Sequence, residues 1–279
     1  YKTENRARAL EVFTEALNRG YDKPIVYHKQ AMCYFHLRQY QTAIKLLNHS
    51  IRENKKVLSK AERSKDDAVA KHARFQIGDS YVWLTKQYNV LEDFASFYEA
   101  AKQVEQYDPK NQWLPVILHD GISRLTYNTI ANGDLKKALV LCREEEEIVK
   151  RYKKEPDWRV PRYTLSEVIE NRISLGNIKP VYTHRILAAY FNKIETTYLW
   201  KGEQKNLERA MTDREKRTAI LYQKVLTMMI ESISNGQFTL SWDSVVVEEP
   251  IRQVNVFVKE EEVEPGLNFN TEYSSLYRE

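Results

Sequence analysis

Apolar residues recur at spacings of three and four through most of the chain, the period of an amphipathic helix. Residues 24–38 read as one helix, with Pro24 in a first turn where its missing N–H costs nothing. The charged run from Lys55 lacks Gly and Pro, so it extends the preceding helix beyond an ordinary end before a loop. Residues 113–130 and the stretch after Asn132-Gly133-Asp134 predict a further helical pair. Beyond Pro156, Tyr163, Val168, Ile169 and Ile173 face one way up to Gly176, and residues 181–200 and 207–233 predict a long helical pair around residues 201–205. After Asn235-Gly236 the pattern changes to β-branched runs at 244–247 and 253–258, which read as one or two strands or an extended tail.

The helical pattern repeats. Ala9 pairs with Ala43, Phe13 with Leu47, Ala16 with Ser50 and Leu17 with Ile51, each 34 residues apart. With Pro24 as position 1, Tyr27, Ala31, Tyr34, Tyr40, Ala43, Leu47 and Ser50 fall where small residues let two helices approach and large ones fill the gap between them. Ile77-Gly78-Asp79-Ser80-Tyr81 resembles the Leu-Gly-x-x-Tyr core of a known helical repeat family, and Gly78 lies 47 residues after Ala31, so about 13 residues are inserted. This pattern resembles the tetratricopeptide repeat, a helix–turn–helix unit. The resemblance covers residues 9–141 and implies an all-α fold, an α-solenoid of stacked antiparallel helix pairs, with a short extended or β C-terminal tail. Residues 1–155 are then repeats, with a truncated first unit and an insertion near 55–67. Residues 156–236 are further helical pairs capping the solenoid, and 237–279 form an acidic, β-prone tail.

Composition narrows the function. With 8 Gly, 8 Pro and 2 Cys in 279 residues, a many-turned β protein, a phosphate-cradling glycine loop and a disulfide framework are all disfavoured. No stretch reaches the apolar length of a membrane span. The chain opens on Tyr1 rather than Met, as in a processed or excised form that leaves room for a lost targeting signal, and a cytoplasmic location is the expectation. The net charge of +4 hides a division. From Asp243 onward nine acidic residues face three basic ones, a tail of −6, which leaves 40 basic and 30 acidic residues, or +10, in 1–242. An intramolecular contact of this tail with the body is one consequence to test.

By the resemblance, first helices line a concave groove. The groove residues are then Ile25, His28, Met32, Phe35 and His36, next His72, Phe75, Asp79, Val82 and Trp83, and in a third unit Tyr127 with Asp120 and Ser123. An aromatic groove with an adaptable Met at its centre suits an amphipathic helix or extended peptide. Members of the family that capture an acidic C-terminal peptide use Lys and Asn at the positions held here by His28 and Met32, so that carboxylate clamp is absent. His28 and His36 lie eight residues apart, more than about 10 Å along a helix, too far to share a metal ion. Glu144 to Glu147 point around a helix axis and read as a solvated face. Cys33 and Cys142 read as reduced core residues. No enzymatic signature, cofactor motif or metal spacing is present. The expected function is therefore a non-catalytic protein-interaction scaffold that binds a partner in its groove, as one subunit of a larger assembly. The alternatives are a peptide-sensing regulatory protein, or RNA or other nucleic-acid binding through Lys55, Lys56, Lys60, Arg63, Lys65 and the basic cluster at 150–154.

Overall fold

The computed structural model describes residues 2–152, 164–200, 203–250, 252, 255–259 and 262–266, and of these 2–4, 199–200, 255–259 and 262–266 as backbone alone. The chain is mostly helical and divides into two compact units, Tyr1–Ile169 and Glu170–Glu279.

The first unit contains α1 (Lys2–Asn18), α2 (Pro24–His36), α3 (Tyr40–Ser64), α4 (Asp67–Val90), α5 (Phe94–Tyr107), α6 (Leu114–Ala131), α7 (Leu135–Tyr152) and the start of α8 (Leu165–Ser174). Each helix from α1 to α6 packs on the next in the chain, and α2 also reaches α4. Alanine permits this close layering. Ala31, Ala43, Ala61, Ala70, Ala73 and Ala100 are buried around Leu47, Ile51, Leu58, Ile77 and Leu84. A second cluster of Val82, Tyr98, Val104, Leu114, Leu118, Ile122 and Leu141 fills the space among α4 to α7. At Gly78 a Cβ would stand 2.6 Å from Asp108 Cβ, so only glycine admits this approach of α4 to the end of α5. The charged insertion does lengthen a helix: α3 runs 25 residues, with Ala43, Leu47, Ile51, Leu58 and Ala61 on its buried face.

One local device closes three of these helices, α3, α4 and α6. After α3, Lys65 is left-handed (φ 56°), Asp66 N–H donates to Ala61 O, and the Asp66 carboxylate accepts from Val69 N–H at 3.1 Å to begin α4. Glu92 (φ 59°) with Asp93, and Gly133 (φ 82°) with Asp134, repeat it. A left-handed residue followed at once by a capping Asp thus ends one helix and starts the next. Glycine is scarce partly because Lys65, Glu92 and Arg38 (φ 61°) stand where glycine is the usual choice.

The second unit departs from the helical expectation. Residues 182–200 are strands, β1 (Tyr182–Phe191) and β2 (Lys193–Trp200), and β3 (Glu203–Ala210) occupies the start of the expected second helix. Of the capping helical pairs expected over 156–236, α8 and α9 (Asp213–Ile233) are the described helices. The reason is periodic ambiguity. Ile186, Tyr190 and Ile194 are spaced by four, which is one helical turn but also two strand periods. The β-branched and aromatic content decides for strand, and Ile186, Ala188 and Tyr190 are half-buried between exposed neighbours.

Beyond α9, β4 (Phe238–Val247) pairs in parallel with β1, from Tyr182 opposite Phe238 to Phe191 opposite Val247. β2 pairs antiparallel with β3. Asn192 joins the two ladders: its N–H donates to Val247 O at 3.1 Å and its carbonyl accepts from Met211 N–H at 2.9 Å. A Thr212–Glu215 capping box starts α9, which lies on the ladder through Trp242 Nε1 donating to Thr227 Oγ1 (2.9 Å) and Gln223 Nε2 donating to Tyr190 OH (2.7 Å). The tail supplies a further hairpin of β5 (Asn255–Lys259) and β6 (Glu262–Gly266). Most side chains of the acidic tail lie outside the described residues, and the expected tail-to-body contact lies there with them.

Candidate functional site

The expected groove residues of the first two layers sit on α2 and α4. His72, Phe75, Asp79, Trp83 and Lys86 follow one face of α4 at three- and four-residue steps, and Lys29, Met32 and His36 do so on α2. His28 ties the two helices together. Its side chain is 3% exposed, Nδ1 lies 2.9 Å from Ser80 Oγ, and Nε2 lies 3.2 Å from Asp79 Oδ2 without hydrogen-bond alignment. Ser80 Oγ also lies within donating distance of the Gln76 carbonyl, at 2.9 Å. Burial works to raise the Asp79 carboxyl, but His28 beside it and the charges of Lys29 and Lys86 outweigh burial and hold it below the ordinary carboxylate value. His28 therefore belongs to the joint between helices and not to the surface that a partner would touch, which corrects its expected role.

An aromatic cluster continues the joint. The rings of Phe35 and Trp83 meet edge to face at 5.7 Å, Phe35 meets Tyr40 at 5.7 Å, and His36 meets Trp83 at 6.0 Å. Lys86 Nζ stands 4.1 Å from the Trp83 ring centroid, a cation–π contact, and Lys29 Nζ stands 3.8 Å from Met32 Sδ. Burial pushes the His36 imidazole down, and the charges of Arg6 and Lys86 add to the effect. Phe75 exposes 55% of its surface on the α4 face that carries half-buried Trp83, and Met32 is half-buried on α2. His72 approaches Gln76 of its own helix, and Tyr127 is half-buried on α6. Sequence reasoning passed over Lys29 and Lys86. The signal for both was spacing, since each lies three residues from a groove residue.

The other candidate chemistries have structural roles. Glu144 to Glu147 are not one solvated face: Tyr98 OH donates to Glu144 at 2.7 Å, Ser123 donates to Glu145, Ser166 donates to Glu146, and Glu147 pairs with Lys150 at 2.7 Å. Three of the four therefore bind hydroxyls on α5, α6 and α8, because consecutive helical residues point to successive neighbours. Burial raises the Glu145 carboxyl despite Ser123 and His119 beside it. Burial raises the Cys33 thiol and pushes Cys142 up to about 12. A pocket of about 290 Å³ opens between α6 and α7, lined by Pro115, Val116, His119, Asp120, Ile148, Val149 and Tyr152.

Several basic residues offered for nucleic acid are engaged within the protein. Lys55 Nζ lies over the Tyr81 and Tyr107 rings, at 5.7 and 5.2 Å, Lys56 pairs with Glu53 at 2.9 Å, and Arg151 pairs with Glu105. Among the described residues no group of three or more His, Cys, Asp or Glu could hold a metal ion, and no helix is long and apolar enough to cross a membrane. Compared with known proteins, the chain matches no family model, no curated protein and no solved structure.

Proposed function

We propose that the first unit is a tetratricopeptide-like α-solenoid that acts as a non-catalytic docking module, holding a partner protein segment against the α2–α4 face. The observation that carries this reading is the exposure of Phe75, 55%, on the α4 face that also carries half-buried Trp83, with half-buried Met32 on α2, the two helices being fixed to each other through His28, Asp79 and the Phe35–Trp83 contact. An apolar strip on a backbone already held in place binds without a large ordering cost. The repeat reading is supported by the in-order packing of α1 to α7, the contact of α2 with α4, and full burial of Ala31 and Ala43 at the small-residue positions. The engagement of Lys55, Lys56 and Arg151 with Tyr and Glu side chains favours a protein partner over nucleic acid.

The test is affinity capture from cells of the source with the full chain and with a Phe75→Ala, Met32→Ala double variant. Both residues lie outside the fully buried core, so the variant keeps the parent's unfolding midpoint to within a small shift. Partners held through this face are lost from the variant. Recovery of the same partners in the same amounts rejects the docking reading.

A further inference from the structure

The charges around the α2–α4 face identify the kind of segment that fits it. Lys29 and Lys86 are exposed, and each stands beside an apolar anchor, Met32 at 3.8 Å and Trp83 at 4.1 Å. Among the described residues neither lysine forms an ion pair, although Lys56, Lys102, Lys150 and Lys193 all do. The Asp79 carboxylate of this cluster already faces His28, at 3.2 Å from Nε2. The face thus combines apolar anchors with two exposed lysines that no ion pair among the described residues neutralises. A partner that covered Lys29 and Lys86 with apolar or basic groups would remove their hydration without replacing it.

We propose that the docked segment is an acidic peptide, with Asp or Glu side chains interleaved among apolar or aromatic anchors. This rests on the docking reading of the same face. Its carboxylates would meet Lys29 and Lys86 while its anchors cover Met32, Phe75 and the exposed part of Trp83. A free C-terminal carboxylate is not required, because the grip falls on side-chain charges flanking the anchors, and His28, at the position where a clamp lysine would stand, is buried.

The experiment pans a random-peptide phage library on the full chain and on a Lys29→Glu, Lys86→Glu variant, then measures synthetic labelled winners by fluorescence anisotropy. The expected winners are rich in Asp and Glu with aromatic or aliphatic anchors. They should bind the parent about tenfold or more tighter than their lysine-for-acid counterparts, lose that preference on the variant, and weaken as salt rises from about 50 to about 500 mM. Winners rich in Lys or Arg, no acidic class at all, or an acidic preference unchanged on the variant would overturn the proposal. Displacement of the winners by oligothymidylate at equal charge concentration would also overturn it, in favour of a nucleic-acid site. Apolar winners indifferent to charge that need Phe75 would reject the acidic preference while leaving the docking face in place.

Discussion

Phe35 on α2 and Trp83 on α4 meet edge to face, with ring centroids 5.7 Å apart at an interplanar angle of 79°. The pair belongs to a layer in which Tyr40, His36 and Lys86 also touch one ring or the other. Neither ring is wholly buried, so its value lies in geometry as well as in removed surface. A double-mutant cycle with Phe35→Ala and Trp83→Ala, read by urea unfolding, should give a coupling of about 0.5–1.5 kcal/mol. Strict additivity would mean that the two rings are merely adjacent.

The left-handed helix ends give a prediction of the opposite sign. Lys65 and Glu92 carry a Cβ at φ 56° and 59°, where a side chain costs about 1–2 kcal/mol. Lys65→Gly and Glu92→Gly should each stabilise the chain by about 0.5–1 kcal/mol after glycine's greater unfolded-state freedom is counted. Gly133→Ala, at φ 82° with open space around it, should destabilise it by about 1 kcal/mol. Thermal unfolding midpoints of the three variants decide it, and a fall in midpoint for both glycine variants would contradict the account.

Glu145 links α7 to α6 through Ser123 and lies 3.3 Å from His119 Nε2. Because burial raises its carboxyl above the ordinary 4.5, the folded chain holds a proton that the unfolded chain has already released. Its contribution to stability is full below the unfolded value and is lost as pH rises through the higher folded value. Glu145→Gln keeps an acceptor for Ser123 and removes the titration. Its stability should fall less than the parent's between about pH 4.5 and pH 7. Equal slopes for parent and variant would show that Glu145 ionises as freely folded as unfolded.

Cys142, 2% exposed and pushed up to about 12, and Cys33, 9% exposed and raised by burial, are thiols rather than thiolates at neutral pH. Thiol reagents should label neither in the native chain at a rate comparable to a free cysteine, and both on unfolding. Rapid native labelling of either would show that its helix opens far more often than its packing implies.

Much of the first unit was legible because its signals are local and repeat. Ala31, Ala43 and Gly78 marked the close approaches, Asn132-Gly133-Asp134 marked a turn, and the lack of Gly and Pro after Lys55 foretold the length of α3. The ends of α3 and α4 were hidden, since Lys65 and Glu92 have no preference for the left-handed region and are placed there by the Asp that follows. The second unit misled because Ile186, Tyr190 and Ile194 fit both periods, and the pairing that settles the question joins Tyr182 to Phe238 across a long stretch of sequence. At the site, the repeat positions implied by the resemblance named Phe75 and Trp83 as candidates. The burial of His28 and the pairing of Glu144, Glu145 and Glu146 with hydroxyls depend on which neighbour each helix meets, and no short-range pattern carries that.

The most direct test of the docking face is a photo-cross-linking residue, p-benzoylphenylalanine, placed at Phe75 on α4 and, separately, at Val140 on α7, which is 64% exposed and lies away from the α2–α4 cluster. Irradiation in cells of the source should yield a discrete adduct from position 75 that is absent from position 140 and is lost in the Lys29→Glu, Lys86→Glu background. Adducts of the same size and yield from both positions, or none from position 75 while position 140 gives one, would contradict a partner-binding face on α2 and α4.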